Sequence, residues 1–288
     1  DKSYADLGLI VLANSCDAMR KLSDIWKEKA QLPDSIILDV PKKKDPLSIH
    51  FFASELKRVA SIITRDFTKE PVTASGLRKA IKECNSLRSA MARVFDLQRS
   101  EDISGSEVFS LLREENVTET LKRAETMRGD GSGKNRNHHR IMITGTIMNR
   151  PHFVSMIEDH GATVVSLDTC FGVRHYESLV RDDQDDPYVS LAERYLLKPP
   201  CARMEGITEQ LGYLKDLAER TDAKGIIMTS VKYCDHMLYN LPLLEQTMKT
   251  AGIPVLVLEN DYDFSDMEKA RTKVEAFLEM MDSRGISC

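Results

Sequence analysis

Short apolar runs alternate with longer amphipathic stretches at both ends of this chain, and residues 225–261 show the pattern most clearly. Residues 226–228 form an apolar run of the kind that parallel sheets bury. The next apolar positions recur at helical spacing: Leu241, Leu244 and Met248. A Gly-Ile-Pro stop at residues 252–254 ends the helix, and a second apolar run follows it. The pattern predicts a strand–helix–strand unit with a crevice at the carboxyl end of its first strand.

The same order of elements is predicted at the start of the chain. An apolar run at residues 9–12 precedes a helical stretch, and a second strand is predicted at residues 36–39. Cys16 and Cys234 each open a Cys-Asp-x-Met sequence at the junction from strand to helix. Two half-molecules with a cysteine in equivalent crevices would suit an inorganic centre shared between domains. The alternative is two buried cysteines that pack as small apolar residues.

The middle of the chain, from residue 46 to residue 127, has amphipathic helical patterns and no convincing strand. One of these helices has Ser104 as a candidate cap. The Gly- and Asn-rich stretch after them lacks both the spacing and the preceding strand of a phosphate-binding loop. We therefore predict an α/β protein in which a helical insert separates two parallel-sheet domains. Its segments are the remnant of an N-terminal α/β domain (1–45), a helical segment (46–128), a loop or linker (129–138) and a C-terminal α/β domain (139–288).

Composition narrows the possible functions. The chain has 288 residues, of which 42% are hydrophobic and 30% charged, and its net charge is -5. This composition is typical of a globular protein, and the small net charge gives no electrostatic footprint for nucleic acid. The sequence also contains no apolar run of membrane-spanning length. Six cysteines without regular spacing do not resemble a secreted disulfide framework. We therefore expect a cytoplasmic protein that binds neither nucleic acid nor membrane.

The cysteines leave several kinds of site open. A nucleophilic cysteine needs a base within reach, and His236 is expected to point away from Cys234. Zinc sites favour closely spaced cysteines, which are absent here. An iron–sulfur cluster accepts widely separated cysteines, and the predicted helix N-termini behind Cys16 and Cys234 would stabilise thiolate ligands.

A second candidate loop follows the strand predicted at residues 163–167. Asp168, Cys170 and Arg174 place a carboxylate, a thiol and a guanidinium at the carboxyl end of that strand. This position makes the loop a candidate crevice wall, although a glycine turn beside a packed cysteine explains Cys170 equally well. Asp17 and Asp235 are expected to cap their helices, with tuning of a cluster as the alternative.

Several motifs resemble those of the 2-hydroxyacyl-CoA dehydratase family, which includes the cluster-bearing subunits of ATP-dependent benzoyl-CoA reductase. The motifs are LANSCDAMRKL, LDTCFGVRHYESL, RYLLKPPCARM, VKYCDHMLYNLPLLEQTMKTAGIPVLVLENDY and RTKVEAFLEMM. The resemblance implies flavodoxin-like, Rossmann-like domains with extra helices. It also implies a [4Fe-4S] cluster held by three cysteines, two of which match Cys16 and Cys234. The family's first cysteine lies further upstream, so we expect an N-terminal segment to be missing, and without that segment this chain could hold the cluster incompletely or not at all. Cys170 and Cys201 also lie in these motifs, and Cys170 is a weaker candidate ligand.

The resemblance further implies an enzyme subunit that works with other proteins. Members pair with a homologous second subunit and receive single electrons from an ATP-hydrolysing iron–sulfur activator. They use radical chemistry on an acyl-CoA thioester, either to eliminate water as lyases or to reduce an aromatic ring as oxidoreductases. The sequence does not determine which acyl group is the substrate, and it identifies no catalytic residue. One alternative is a non-catalytic partner or electron-relay subunit of such a complex; another is a flavodoxin-like binder of flavin or nucleotide, although no glycine-rich phosphate loop supports it.

Overall fold

The computed structural model describes residues 7–28, 34–129, 139–262 and 266–285. In chain order, the strands and α-helices of these residues are β1 (Leu9–Ala13), α1 (Asp17–Glu28), β2 (Asp34–Leu38), α2 (Pro46–Ile63), α3 (Ala74–Arg99), α4 (Gly105–Leu112), α5 (Val117–Thr126), β3 (His139–Gly145), α6 (Pro151–Asp159), β4 (Ala162–Asp168), α7 (Val173–Tyr176), α8 (Pro187–Leu197), α9 (Ile207–Arg220), β5 (Gly225–Val231), α10 (Asp235–Thr250), β6 (Val255–Asn260) and α11 (Met267–Ser283). A π-helical turn, Thr64–Thr68, follows α2 directly.

The chain divides into two compact units. The first contains the described residues of Asp1–Glu83, Val180–Lys198 and Arg203–Glu205. The second contains the described residues of Cys84–Leu179, Pro199–Ala202 and Gly206–Cys288. The four segments proposed from the sequence divide the chain on a different basis and stay a prediction. Apart from Gly129, the predicted linker at 129–138 lies outside the described residues.

The first unit is built on a parallel pair of strands. β1 and β2 pair in register from Leu9 opposite Asp34 to Ala13 opposite Leu38, and α1 makes the crossover between them. This confirms the strand–helix–strand unit predicted at the start of the chain. The apolar core of the unit joins α2 to α8: Ile49, Phe52, Ala53, Ala192 and Leu196.

The second unit contains a four-stranded parallel sheet. Its strand order is β4-β3-β5-β6. Numbered within this unit, the order is 2-1-3-4, the flavodoxin-like arrangement, whose ligand crevice lies where the direction of strand addition reverses. That reversal falls between β3 and β5. Together with the parallel pair of the first unit, this sheet confirms the predicted α/β fold class.

Buried apolar clusters cover both faces of this sheet. One contains Ile141, Ile143 and Val164 together with residues of α4, α6 and α11. The other contains Met142, Val165 and residues of α9 and α10. Because neighbouring positions of a strand point to opposite faces, near-continuous apolar runs in β3, β4 and β5 are what a sheet covered on both sides requires.

The helical patterns in the middle of the chain correspond to helices in the structure. Residues 46–128 form α2 to α5 with the π-helical turn and contain no strand. Ser104 caps α4 as predicted, in a capping box with Glu107. No helix among the described residues has both the length and the apolar character that crossing a bilayer requires.

Candidate functional site

Cys16 lies at the start of α1, three residues beyond the end of β1. Its backbone carbonyl accepts a hydrogen bond from the amide of Arg20 (3.2 Å), which makes Cys16 the residue that opens the helix. The Cys16 side chain is partly exposed, and its thiol forms no disulfide. The position leaves the thiol available beside the positive end of the helix dipole.

Cys234 holds the corresponding place in the second unit. It is the N-cap of α10, and its carbonyl accepts the amides of Met237 and Leu238, both at 2.9 Å. Its thiol forms no disulfide, and the residue is partly exposed. The residue before it, Tyr233, has a φ of 66° and is 87% exposed. A tyrosine in the left-handed region is uncommon, so the chain makes a tight, strained turn immediately before Cys234.

The backbone around the two cysteines repeats in detail. The amide of Asn14, just after β1, donates to the carbonyl of Leu38 at the end of β2 (2.9 Å). The amide of Lys232, just after β5, donates in the same way to Asn260 at the end of β6 (2.8 Å). The Cys-Asp-x-Met sequences therefore occupy the same position in two strand–helix–strand units, as the sequence predicted.

The expectation that Asp17 and Asp235 cap these helices is wrong. Both are the first residues inside their helices, and the cysteines precede them. A carboxylate in the first helical turn still interacts favourably with the helix dipole, so their contribution is electrostatic rather than a cap.

Arg203 supports the turn that carries Cys16, a role that the sequence reasoning missed. Its guanidinium donates to the carbonyls of Asn14 (3.1 Å), Pro41 (3.1 Å) and Val40. Asn14 also donates through its side chain to Asp39 (2.8 Å). The loops that follow β1 and β2 are thereby joined by side chains as well as by the sheet. The only signal in the sequence was the place of Arg203 in the RYLLKPPCARM motif.

The loop after β3 is fixed beside the end of β5, which leads to Cys234. Gly145 has a φ of 140°, and a Cβ there would lie 1.9 Å from the carbonyl oxygen of Thr229. Only glycine fits such a close approach. The amide of Thr146 donates to the same carbonyl (3.0 Å), and its hydroxyl accepts from the amide of Val231 (2.9 Å). The carboxyl ends of β3 and β5, between which the direction of strand addition reverses, are thus held together tightly.

Asp168 and Arg174 form a buried ion pair at the end of β4. The Arg174 side chain donates through Nε to Asp168 Oδ1 (2.8 Å) and through Nη2 to Oδ2 (2.6 Å). Thr144 donates to Oδ2 (2.7 Å) and Tyr213 to Oδ1 (3.2 Å). Asp168 is 1% exposed and Arg174 5%. This carboxylate and guanidinium satisfy each other inside the protein, and the exposed residues of the predicted crevice wall are Cys170 and Phe171.

The network also determines which of its groups are charged. Burial by itself would lower the pKa of Arg174, but the charge and hydrogen bonds of Asp168 outweigh burial and leave that pKa above its ordinary value. Burial, reinforced by the negative charges of Asp168 and Glu177, raises the pKa of Tyr213 well above its ordinary value. Tyr213 therefore stays a neutral hydrogen-bond donor to a carboxylate that is itself paired with a cation.

The described residues supply thiols suited to a cluster but not a complete ligand set. Cys16 and Cys234 stand at helix N-termini, where negative charge is favoured, and neither forms a disulfide. Within the described ranges, however, no three side chains of His, Cys, Asp or Glu gather closely enough to hold a metal ion. The donor chemistry fits an iron–sulfur cluster, whereas the number of ligands brought together does not, so we derive no reaction step through a cluster.

Comparison with known proteins extends the resemblance to nearly the whole chain. The Escherichia coli K12 protein YjiM, whose name assigns it provisionally as a dehydratase subunit, is 25% identical over 293 residues, covering 95% of this chain and 74% of the relative. The β subunit of (R)-phenyllactyl-CoA dehydratase from Clostridium sporogenes is 22% identical, covering 96% and 76%. A benzoyl-CoA reductase subunit from Thauera aromatica is 23% identical, covering 91% and 71%.

The family itself is identified by a match to its sequence model rather than by any one relative. The model described as 2-hydroxyglutaryl-CoA dehydratase, D-component, matches residues 2–281. The match includes both strand–helix–strand units and the helices between them, which confirms the resemblance drawn from the motifs. The chain therefore belongs to the 2-hydroxyglutaryl-CoA dehydratase, D-component, family.

Proposed function

We propose that this chain is an iron–sulfur subunit of an enzyme complex that carries out one-electron radical chemistry on an acyl-CoA thioester. The reaction is either the dehydration of a 2-hydroxyacyl-CoA or the reduction of an aromatic acyl-CoA. The observation that carries the proposal is the match of residues 2–281 to a family of acyl-CoA dehydratase subunits, combined with equivalent Cys-Asp-x-Met turns in both units.

The names of the relatives support both the substrate class and the need for a partner. The Clostridium sporogenes and Anaerotignum propionicum relatives are β subunits of phenyllactyl-CoA and lactoyl-CoA dehydratases, and the Thauera aromatica relative is a subunit of a reductase that acts on benzoyl-CoA. Each is one subunit of a larger enzyme. We therefore propose a homologous second subunit as partner and an ATP-hydrolysing iron–sulfur activator as electron donor.

We further propose Cys16 and Cys234 as ligands of a [4Fe-4S] cluster, and Cys170 as a weaker candidate. The first two residues form no disulfide and open their helices at equivalent places, where a thiolate gains from the helix dipole. Cys170 is exposed on the loop after β4. The helix that follows it, α7, is much shorter than the helices α1 and α10 that follow the other two cysteines.

Iron and acid-labile sulfide, measured on the full-length protein purified without oxygen, test the assignment. We expect about four irons per chain in the wild type, the content of one [4Fe-4S] cluster. Cys16→Ser and Cys234→Ser should each lose the iron and the visible absorption of the cluster. Cys84→Ser is the matched control, because Cys84 is another partly exposed cysteine outside any disulfide, lies on α3 and belongs to neither turn. Iron that stays unchanged in both turn variants would overturn the assignment and leave the two cysteines as packed thiols.

A further inference from the structure

The outward face of α10, in the second unit, carries large side chains that solvent reaches. Tyr239 is 86% exposed, and Leu243, one turn further along the helix, is 43% exposed. Tyr233, at the turn before the helix, is 87% exposed. Tyrosine is enriched in protein interfaces, because its ring buries a large area while its hydroxyl finds a hydrogen-bond partner. The face therefore has the composition of a surface that another protein covers.

Two stripes of residues run along α10, and one of them belongs to the core of the second unit. The core stripe has alternating spacings of four and three residues and is buried: Met237, Leu241, Leu244 and Met248. A second stripe has the same alternating spacings on the exposed side of the helix: Asp235, Tyr239, Pro242, Gln246 and Lys249. Residues at these spacings form a continuous seam along a helix, and such a seam is where a second helix packs.

The two ends of the exposed seam carry opposite charges. Asp235 begins the helix, and Lys249 lies in its last turn, about 21 Å away along the axis. Two copies of the helix packed in the same direction would place like charges together at both ends. Packed antiparallel, they place Asp235 of each copy beside Lys249 of the other, and the two helix dipoles attract each other. Charge therefore selects an antiparallel pair.

The middle of the seam is self-complementary in the same arrangement. With the two helices antiparallel, Tyr239 lies level with Gln246 of the other copy, and Pro242 lies level with Leu243. A tyrosine hydroxyl donates to an amide oxygen, and the proline ring covers apolar surface without burying an amide donor. Each contact occurs twice, once on each side of a two-fold axis, as a symmetric dimer requires.

The end residues of the seam do not depend on each other within one copy. Asp235 lies in the first turn of α10 and Lys249 in the last, where the dipole of their own helix favours each charge. Lys249 also pairs with Glu245 (2.6 Å), but an ion pair that solvent reaches is weak and exchanges readily. Both side chains are therefore available to a second copy.

We propose that α10 packs antiparallel against α10 of a second copy of this chain and so forms a two-fold symmetric homodimer. The interface is additional to the proposed function, because it uses neither a cluster nor a substrate. Sixteen helical residues are about 24 Å long, so one pair of these faces is smaller than a standard protein interface. The dimer is therefore weak and reversible, and it forms at micromolar protein concentrations.

Sedimentation velocity of the full-length protein, at concentrations from about 1 to about 200 μM, tests the proposal. A reductant keeps the cysteines from forming disulfide-linked dimers. We expect a monomer at the lowest concentration and a reversible shift to a dimer as the concentration rises. Tyr239→Ala should weaken dimerisation about tenfold or more, the usual effect of removing a central tyrosine. A protein that stays monomeric over the whole range would overturn the proposal and leave this face to a different protein.

Two charge-reversal variants identify the face and the direction of packing. Asp235→Lys alone and Lys249→Asp alone each bring like charges together at both ends of the pair, so each variant should dimerise far more weakly than the wild type. Mixed in equal amounts, the two variants should form a heterodimer, because every contact at the ends then joins a lysine to an aspartate. The two positions lie too far apart to pair within one helix, so the recovery arises only between copies.

Lys273→Asp is the matched control, because Lys273 is exposed on α11, outside the seam, and its reversal changes the net charge by the same amount. This variant should dimerise as the wild type does. Circular dichroism should show the helical content of the wild type in every variant, which separates a lost dimer from a lost fold. The proposal is overturned if the wild type dimerises but the mixture of Asp235→Lys and Lys249→Asp stays monomeric, which would place the contact on another face.

Discussion

Asp168 carries a charge that solvent does not reach, and its four hydrogen bonds to Arg174, Thr144 and Tyr213 compensate for the lost hydration. A buried ion pair contributes little net stability compared with an apolar pair, but breaking it by removing one partner is expensive. The pair joins the end of β4 to α7, and through Thr144 and Tyr213 it also joins β3 and α9. The carboxylate and the guanidinium, which the sequence predicted as part of a crevice wall, therefore hold the carboxyl end of the sheet in place.

Replacing Arg174 by methionine tests this role. The substitution leaves the Asp168 carboxylate in the interior without its cation, so we expect the free energy of unfolding to fall by about 3–5 kcal/mol. Urea titration of the full chain, followed by circular dichroism, measures the change.

The control for this prediction is Arg271→Met. Arg271 is exposed and pairs with Glu268 (3.1 Å) within α11, where an ion pair is worth no more than about 1 kcal/mol. If both variants lose the same small amount of stability, the ion pair between Arg174 and Asp168 does not hold this end of the sheet together.

The residue-level predictions from sequence succeeded where neighbouring residues decide the outcome. Cys16 and Cys234 were placed correctly at the start of their helices, because a strand, a turn and a helix follow one another locally. Tyr213 and Arg203 were missed, since each acts on residues far away in the chain: Tyr213 on Asp168, and Arg203 on Asn14. No local pattern distinguishes a tyrosine that bonds to a distant carboxylate from one that only packs.

Helix α4 shows how an element can be fixed by both local and distant groups. Ser104 accepts the amide of Glu107 in a capping box, a pattern visible in the sequence. The two amides between these residues, of Gly105 (2.7 Å) and Ser106 (3.1 Å), donate to the carboxylate of Glu158 on α6. Four amides at a helix start lack partners within the helix, so the distant carboxylate completes what the local cap begins.

Removing the Ser104 hydroxyl should therefore weaken α4 without unfolding the unit. We expect Ser104→Ala to lower the free energy of unfolding by about 1 kcal/mol, the usual value of an N-cap. Ser110→Ala is the matched control, because Ser110 is exposed in the interior of the same helix and caps nothing. Hydrogen exchange of the α4 amides should rise in the first variant only; equal exchange rates in both would contradict the capping role.

Element positions were largely predictable, and strand order was not. The periodicity of apolar residues predicted the helices in the middle of the chain, among them α4 together with its cap. The order β4-β3-β5-β6 depends on which distant strands pair, and the β-bulge at Val165 in β4 depends on the register of one such pair. Residues close in sequence to these strands predict neither the strand order nor the bulge.

At the scale of the whole molecule, the proposed function makes this chain one subunit of a larger enzyme. Its relatives are subunits, and its described residues do not gather a full set of metal ligands. The proposed function therefore requires partner subunits. The alternative, a subunit that relays electrons or holds structure while its companion binds substrate, makes a different prediction about Cys234.

Reconstitution separates the two possibilities. We expect no turnover from the purified chain alone, and turnover of one of phenyllactyl-CoA, lactoyl-CoA or benzoyl-CoA when a homologous subunit, an activator and ATP are added. Cys234→Ser should abolish that turnover, and Cys84→Ser should leave it intact. Full activity with Cys234→Ser would assign this chain a structural role that needs no cluster.

The two cysteines open their helices with backbone groups, so the helix starts do not depend on the thiols. Serine is among the best residues at this position, and its hydroxyl would add a cap that the Cys234 thiol does not make. A single base change from a cysteine codon to a serine codon would therefore remove a thiol and leave the helix start intact. After gene duplication, one copy of such a chain could lose a proposed ligand and keep the helix start that the cysteine provided. The position of these cysteines thus opens a short evolutionary route from two equivalent subunits to an unequal pair.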